Sequence, residues 1–98
     1  KRGVILVNVA RGAVVQQDDL MTALQSGHVA AAALDVTDPE PIPDDSPLLK
    51  MENVVITNHV ASCSPVAVRK LRTRVAEIAG LAVRGEPLPN IVNPQALR

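Results

Sequence analysis

No Phe, Tyr or Trp occurs anywhere in the 98 residues. Aromatic side chains ordinarily supply much of the buried area of a core. Whatever core this chain builds therefore comes from Val, Leu, Ile, Ala and Met, in thin elements suited to packing against something larger. A single cysteine, Cys63, excludes an internal disulfide, and a reducing compartment, the cytoplasm, is the expected location. No apolar run approaches the ~20 residues that cross a bilayer, and no signal peptide is visible, so no membrane partner is expected. An excess of one charge is missing as well, since ten Lys and Arg balance ten Asp and Glu. A nucleic-acid partner would require a basic face, and none is expected. The longest basic cluster, Arg69, Lys70, Arg72 and Arg74, falls in a helical segment that also carries Glu77 and reads as a solvated helix face. There is no initiating Met, and Lys1-Arg2-Gly3 runs directly into an apolar stretch. The chain is thus expected to begin partway along a longer protein, with length for one small domain at most.

What is present alternates between two periods. VILVN, residues 4–8, is an unbroken apolar run rich in β-branched residues, expected to form a strand buried on both faces. QDDLMTALQS, residues 17–26, sets Leu20, Met21, Ala23 and Leu24 at helical spacing behind two acids and ahead of Gly27, which predicts an amphipathic helix with a glycine stop. VAAAALDV at 29–36 and NVVIT at 53–57 read as second and third strands, and SPLLK at 46–50 as one helical turn. Between them lies a loop over 37–47 stiffened by Pro39, Pro41, Pro43 and Pro47, because proline also restrains the residue before it. A long helix is predicted over 65–84, with Pro65 in its first turn and Gly85 as its stop. The EPLPNIVNPQ tail reads as extended. Alternation of this kind implies an α/β layer of about three parallel strands with crossover helices.

In such sheets ligands gather beyond the carboxyl ends of the strands. The residues there are Asn8 to Gly12, Asp35 to Glu40 and Asn58 to Ser62. They deliver one arginine (Arg11), two acids (Asp35, Glu40) and one imidazole (His59) to a single edge, on strands that lie about 5 Å apart. Each has an ordinary alternative. Arg11 could cap a turn, Asp35 could be a loop acid, and His59 could be structural or simply exposed. Glu40 is more directed, because Pro39 and Pro41 flank it. His28, beside Gly27, reads as a helix C-terminal cation. Cys63 near His59 lacks the spacing of a nucleophilic pair. Ser62 or Ser64 with His59 and Asp35 lacks the G-x-S-x-G turn of a hydrolase, and one histidine per cluster does not make a zinc site. Taken jointly the set is more specific. A carboxylate beside an imidazole stabilises the protonated ring, which can give a proton to a carbonyl or take one from an alcohol. An arginine holds a substrate carboxylate through paired hydrogen bonds. This suits interconversion of a 2-oxo and a 2-hydroxy acid, with the hydride carried by a nicotinamide.

The blocks NVARGAVV, LQSGHVAAAALDVTDPEPIP, SPLL and NVVITNHVAS, in this order and spacing, resemble the C-terminal part of the NAD-binding domain of the D-isomer-specific 2-hydroxyacid dehydrogenases. DVTDPEP is most similar to the glyoxylate/hydroxypyruvate reductase side of that family, with phosphoglycerate dehydrogenase also near. The resemblance implies a partial Rossmann-type parallel sheet with a long C-terminal helix. Residues 1–84 would be the last portion of a dinucleotide-binding domain and 85–98 a tail returning toward a substrate domain. It implies that Arg11, Glu40 and His59 are catalytic: substrate-binding arginine, acid partner, and proton donor and acceptor. It implies cofactor contacts from Val9, Ala10, Arg11, Asp35, His59, Val60, Ala61 and Ser62, with Asp35 on the nicotinamide carboxamide. NAD or NADP would be the cofactor, a small 2-oxo or 2-hydroxy acid the substrate, and a homodimer the assembly of the full-length protein. Dinucleotide-sensing corepressors share the same blocks and stand as the alternative.

This sequence departs from the family pattern in three places. Asn58 stands where Pro usually precedes the histidine, Ala31 stands near a family Gly, and Gln16 replaces an acid at the start of the first helix, so a weaker cap is expected there. The glycine-rich turn that cradles a pyrophosphate is not in this sequence, and the segment by itself is expected neither to bind a dinucleotide tightly nor to turn over.

Overall fold

Three strands, β1 (Val4–Asn8), β2 (Val29–Leu34) and β3 (Val54–Ile56), form a parallel sheet in the order β1-β2-β3. The computed structural model describes residues 1–97. Along β1 and β2 the register runs from Ile5 opposite Ala31 to Asn8 opposite Leu34, and along β2 and β3 from Ala32 opposite Val54 to Leu34 opposite Ile56. All three strands thus end at one edge, at Asn8, Leu34 and Ile56. Helix α1 (Gln17–Gln25) connects β1 to β2. It starts at Gln16, whose side chain makes no capping bond, with Asp18 and Asp19 in the first turn, where their charge favours the helix N-terminus. Gly27, at φ +67°, turns the chain into β2, a conformation that costs glycine nothing.

The core is small and lies on one face of the sheet. Leu20 and Leu24 of α1 meet Val29, Ala32 and Leu34 of β2 and Leu48 of a 3-10 turn at Pro47–Lys50. The other face is open: Ile5 is 72% exposed, Val7 65% and Val55 62%. The expectation that β1 is buried on both faces is therefore corrected. Its apolar residues do alternate across the sheet, but α1 and the 3-10 turn supply cover on one side only.

The strands are shorter than expected, 29–34 instead of 29–36 and 54–56 instead of 53–57. The ladder continues past their ends through Ala32 N–H to Asn53 O and Thr57 N–H to Leu34 O. Asp35, Val36 and Thr37 leave the sheet yet stay buried. A further 3-10 turn at Gly12–Val14, absent from the sequence reading, follows the Arg11 turn.

The chain divides into two compact units, Lys1–Ala61 and Ser62–Arg98. Within the second unit, α2 (Pro65–Val83) is capped by Ser64 Oγ, which accepts from Ala67 N–H at 3.1 Å. It ends in a Schellman motif: Gly85 N–H donates to Ala82 O and Glu86 N–H to Leu81 O, with Gly85 at φ +68°. No residue of α2 is buried. The tail expected to be wholly extended contains a 3-10 turn at Pro94–Leu97. No described helix is long and apolar enough to cross a membrane.

Candidate active site

Asn8 closes β1 with a buried side chain that uses both ends of its amide. Oδ1 accepts from Ala10 N–H at 3.1 Å, and Nδ2 donates to Arg11 O at 2.9 Å. This shapes the turn that carries Val9, Ala10 and Arg11. Gly12 then packs directly on the next loop, where a Cβ would stand 2.0 Å from Thr37 O and 2.6 Å from Asp38 N. Only glycine permits that approach. Gln17 Nε2, at the start of α1, also donates to Asp38 O, so the segment from Gly12 into α1 meets the proline-rich loop at two points. Within the loop Thr37 Oγ1 donates to Pro39 O at 2.9 Å, and the bonds before Pro39 and Pro41 are cis.

The loop after β3 is organised around Asp35. Three successive amides converge on that residue: His59 N–H donates to its carbonyl at 2.9 Å, Val60 N–H to Oδ1 at 2.8 Å and Ala61 N–H to Oδ2 at 2.9 Å. Thr57 Oγ1 adds a fourth bond, to Oδ1. Consecutive amides of this kind make a concave anion-binding nest, here filled by an internal carboxylate that is only 5% exposed. The Thr57 hydroxyl, then the Ala61 amide, the Val60 amide and the nearby His59 hold the Asp35 carboxyl below its ordinary 3.8, against the opposing effect of burial. His59 itself sits at φ +53°, an uncommon conformation for a residue with a side chain. From there its Nδ1 lies 2.7 Å from Glu40 Oε1. Both side chains remain more than 40% exposed, at 44% and 42%, so the pair contributes at most about 1 kcal/mol to folding. Its geometry comes from the loops rather than from the strength of the bond.

Two hollows flank Asp35. One, of about 580 Å³, is lined by Glu40, His59, Thr37, Ile42 and Leu49 among others; the second, of about 210 Å³, has an apolar lining that includes Val7, Val9, Val55, Val60 and Ala61. Asp35 and Thr57 border both. Of the residues singled out in the sequence, Glu40 and His59 thus meet, and Val9, Asp35, Val60 and Ala61 share the smaller hollow. Ala10 and Arg11 line neither. The exposed Arg11 donates through Nη1 to Ala10 O at 2.6 Å and has no ion-pair partner among the described residues. Ser62 opens the second unit, where its carbonyl accepts from Ser64 N–H at 3.1 Å. Asn8, Gly12 and Thr57 escaped the sequence reading as site-shaping residues. The short polar Asn ending an apolar run was the available signal for the first.

A parallel sheet whose acid, imidazole and arginine loops all leave its carboxyl edge defines a Rossmann-like α/β layer with its candidate site at that edge. The particular family follows from sequence. The chain belongs to the D-isomer specific 2-hydroxyacid dehydrogenases, and the model of that family's NAD binding domain matches residues 1–61, the whole of the first compact unit. It is 48% identical over 98 residues to a glyoxylate reductase of Korarchaeum cryptofilum, covering 100% of this chain and 30% of that protein. It is 45% identical over 93 residues to a D-3-phosphoglycerate dehydrogenase of Archaeoglobus fulgidus, covering 95% of this chain and 18% of that one. Among solved structures it is similar to a D-isomer specific 2-hydroxyacid dehydrogenase from Xanthobacter autotrophicus Py2 in complex with NADPH and MES, with TM-score 0.80, 43% identity, and coverage of 97% of this chain and 38% of that chain. The chain therefore spans less than a third of the length of these two curated relatives.

Proposed function

We propose that this chain forms the carboxyl-terminal part of the nucleotide-binding domain of an NAD- or NADP-dependent dehydrogenase, acting on a small 2-oxo or 2-hydroxy acid, with His59 as its proton donor and acceptor. The observation that carries this reading is the 2.7 Å pairing of His59 Nδ1 with Glu40 Oε1 on a loop whose amides are bonded to Asp35. With Nδ1 occupied by the carboxylate, Nε2 is the ring nitrogen left for substrate. As imidazolium it donates to a carbonyl oxygen; as neutral imidazole it accepts from a hydroxyl. Glu40 fixes the ring and its tautomer and stabilises the cation. Arg11 uses one guanidinium N–H on Ala10 O, and its remaining donors suit a substrate carboxylate.

The residues present also fit a nicotinamide. The smaller hollow offers an apolar lining of Val9, Val60 and Ala61 beside Asp35. Oδ2 of Asp35 has one bond, from Ala61, and so retains an acceptor position for a carboxamide N–H. When bound, such a cofactor would supply or take up the hydride. The relatives whose names specify glyoxylate or phosphoglycerate chemistry favour a short carboxylate-bearing substrate. In the full-length protein, His59→Ala should lower 2-oxo acid reduction by about 10²–10⁴-fold, measured as loss of reduced-nicotinamide absorbance. Turnover unchanged by that substitution rejects the mechanism.

A further inference from the structure

We infer that Thr57 is a positioning residue of this site: its hydroxyl clips the Asp35 carboxylate in the one orientation that ties together both arms of the His59 loop. The inference rests on the dehydrogenase reading only for its consequence in turnover. The geometry stands by itself. An ionised carboxylate offers about four acceptor positions. On Asp35, Oδ1 takes Thr57 O–H and Val60 N–H, and Oδ2 takes Ala61 N–H. Thr57 precedes His59 and Val60 follows it, so bonding both to one oxygen closes the loop around the histidine. Thr57 is the only side chain among these donors. The others are backbone amides, so the hydroxyl is the one bond to the carboxylate that a side chain supplies, and it fixes the plane of the carboxylate relative to those amides.

Two further observations separate this from an ordinary β-branched residue past the end of a strand. Valine has the same shape and the same preference for extended backbone, so filling the position does not require a hydroxyl. And Asp35 and Thr57 are the two residues that border both hollows, so their bond lies where the imidazole side and the apolar side adjoin. His59 at φ +53° is held in a conformation that persists only where its surroundings over-determine it, and the clip supplies part of that constraint. Each bond from Thr57, Val60 and Ala61 also leaves the second acceptor of Oδ2 as the sole open position on the carboxylate.

The test compares Thr57→Val, which removes the donor at constant shape, and Thr57→Ala, which removes it without bulk, with Thr57→Ser, which keeps it, all in the full-length protein. Hydrogen exchange of the Val60 and Ala61 amides, followed by NMR without cofactor, should quicken about tenfold or more in Thr57→Val and Thr57→Ala, as expected for loss of a bond to a charged group. It should stay within about twofold of the parent in Thr57→Ser. The Asp35 carboxyl titration, below 3.8 in the parent, should move up in the donor-less variants and stay in place in Thr57→Ser; Glu40, Asp44 and His59, the other ionisable side chains lining that hollow, are present in every variant. The kcat for 2-oxo acid reduction should fall about tenfold in Thr57→Val with substrate KM within about twofold, and recover in Thr57→Ser. Parent-like exchange and titration in Thr57→Val overturn the proposal, as does a Thr57→Ser variant as impaired as Thr57→Val, which would assign the effect to packing. A parent protein that reduces no 2-oxo acid overturns the dehydrogenase reading instead and leaves the exchange and titration to decide Thr57.

Discussion

Asp35 and Asn8 are buried polar residues at the ends of adjacent strands, and each spends its hydrogen bonds on a neighbouring turn. For Asp35 this has a pH signature. Its carboxyl is held below 3.8 in the folded chain, while the unfolded chain titrates near the ordinary value. Between those two values the unfolded state binds more protons, so stability rises with pH through that window. The contribution is fully present above about 3.9 and is lost as pH falls through the lowered folded value. Denaturant midpoints measured from pH 5 down to pH 2.5 should therefore drop, and Asp35→Asn should flatten that part of the curve while lowering the midpoint at pH 7, because an amide cannot accept from Thr57, Val60 and Ala61 on both of its ends. A slope that survives in Asp35→Asn would assign it to other carboxylates. For Asn8 the signature is mechanical. Asn8→Ala strands the Ala10 N–H and the Arg11 carbonyl, both on an exposed turn that water reaches, so the expected loss is about 1–2 kcal/mol in equilibrium unfolding. If Arg11 holds the substrate carboxylate, the same substitution should raise the KM for a 2-oxo acid more than it lowers kcat, since the arginine stays present but loses its fixed turn.

At the level of elements the decisive contact is between two loops. Gly12 lies against the backbone of Thr37 and Asp38, and a methyl group there would stand 2.0 Å from Thr37 O. The obstruction is backbone, which cannot swing aside as a side chain can. Gly12→Ala should then cost about 3 kcal/mol or more, seen as a lowered Tm, and should separate the Arg11 turn from the loop that carries Glu40. Gly12→Ala with parent-like stability would mean that the two loops are free to part. The elements themselves were legible in the sequence because their signals are local: β-branched runs for β1 and β3, helical spacing of Leu20 and Leu24, and Gly27 and Gly85 as stops. A carboxylate beside the imidazole was legible as chemistry, from strand ends sharing an edge; that the carboxylate is Glu40 followed only from the family resemblance. The Asp35 nest, the Asn8 turn and the Gly12 contact were not. Each depends on where backbone N–H and C=O groups fall after three loops have come together, and a sequence shows residue types without those directions. Asp35 illustrates the gap: its residue type announces an acid at a strand end, but not that three of its four acceptor positions are filled from within the chain.

Across the whole molecule the asymmetry of the sheet governs how substitutions should behave. With no aromatic residue to spread over two faces, the first compact unit concentrates its burial on the side covered by α1 and the Pro47–Lys50 turn, where Leu34 and Leu48 are 3% and 1% exposed. Leu34→Ala and Leu48→Ala should each cost about 2–5 kcal/mol, the sum of lost transfer energy and the cavity left behind. In the 98-residue chain Ile5→Thr and Val7→Thr, on the open face, should change stability by no more than about 0.5 kcal/mol, although in a strand reading they look equally central. The same two substitutions discriminate between a sheet that works with one face bare and one that is covered in a longer protein. If the relatives' greater length reflects additional chain over that face, Ile5→Thr in the full-length protein should cost about 1–3 kcal/mol, in proportion to the apolar area withdrawn from water. Paired urea titrations of Ile5→Thr in the short and full-length chains measure that difference directly. An Ile5→Thr cost in the 98-residue chain as large as that of Leu34→Ala would contradict the one-sided core on which the comparison depends.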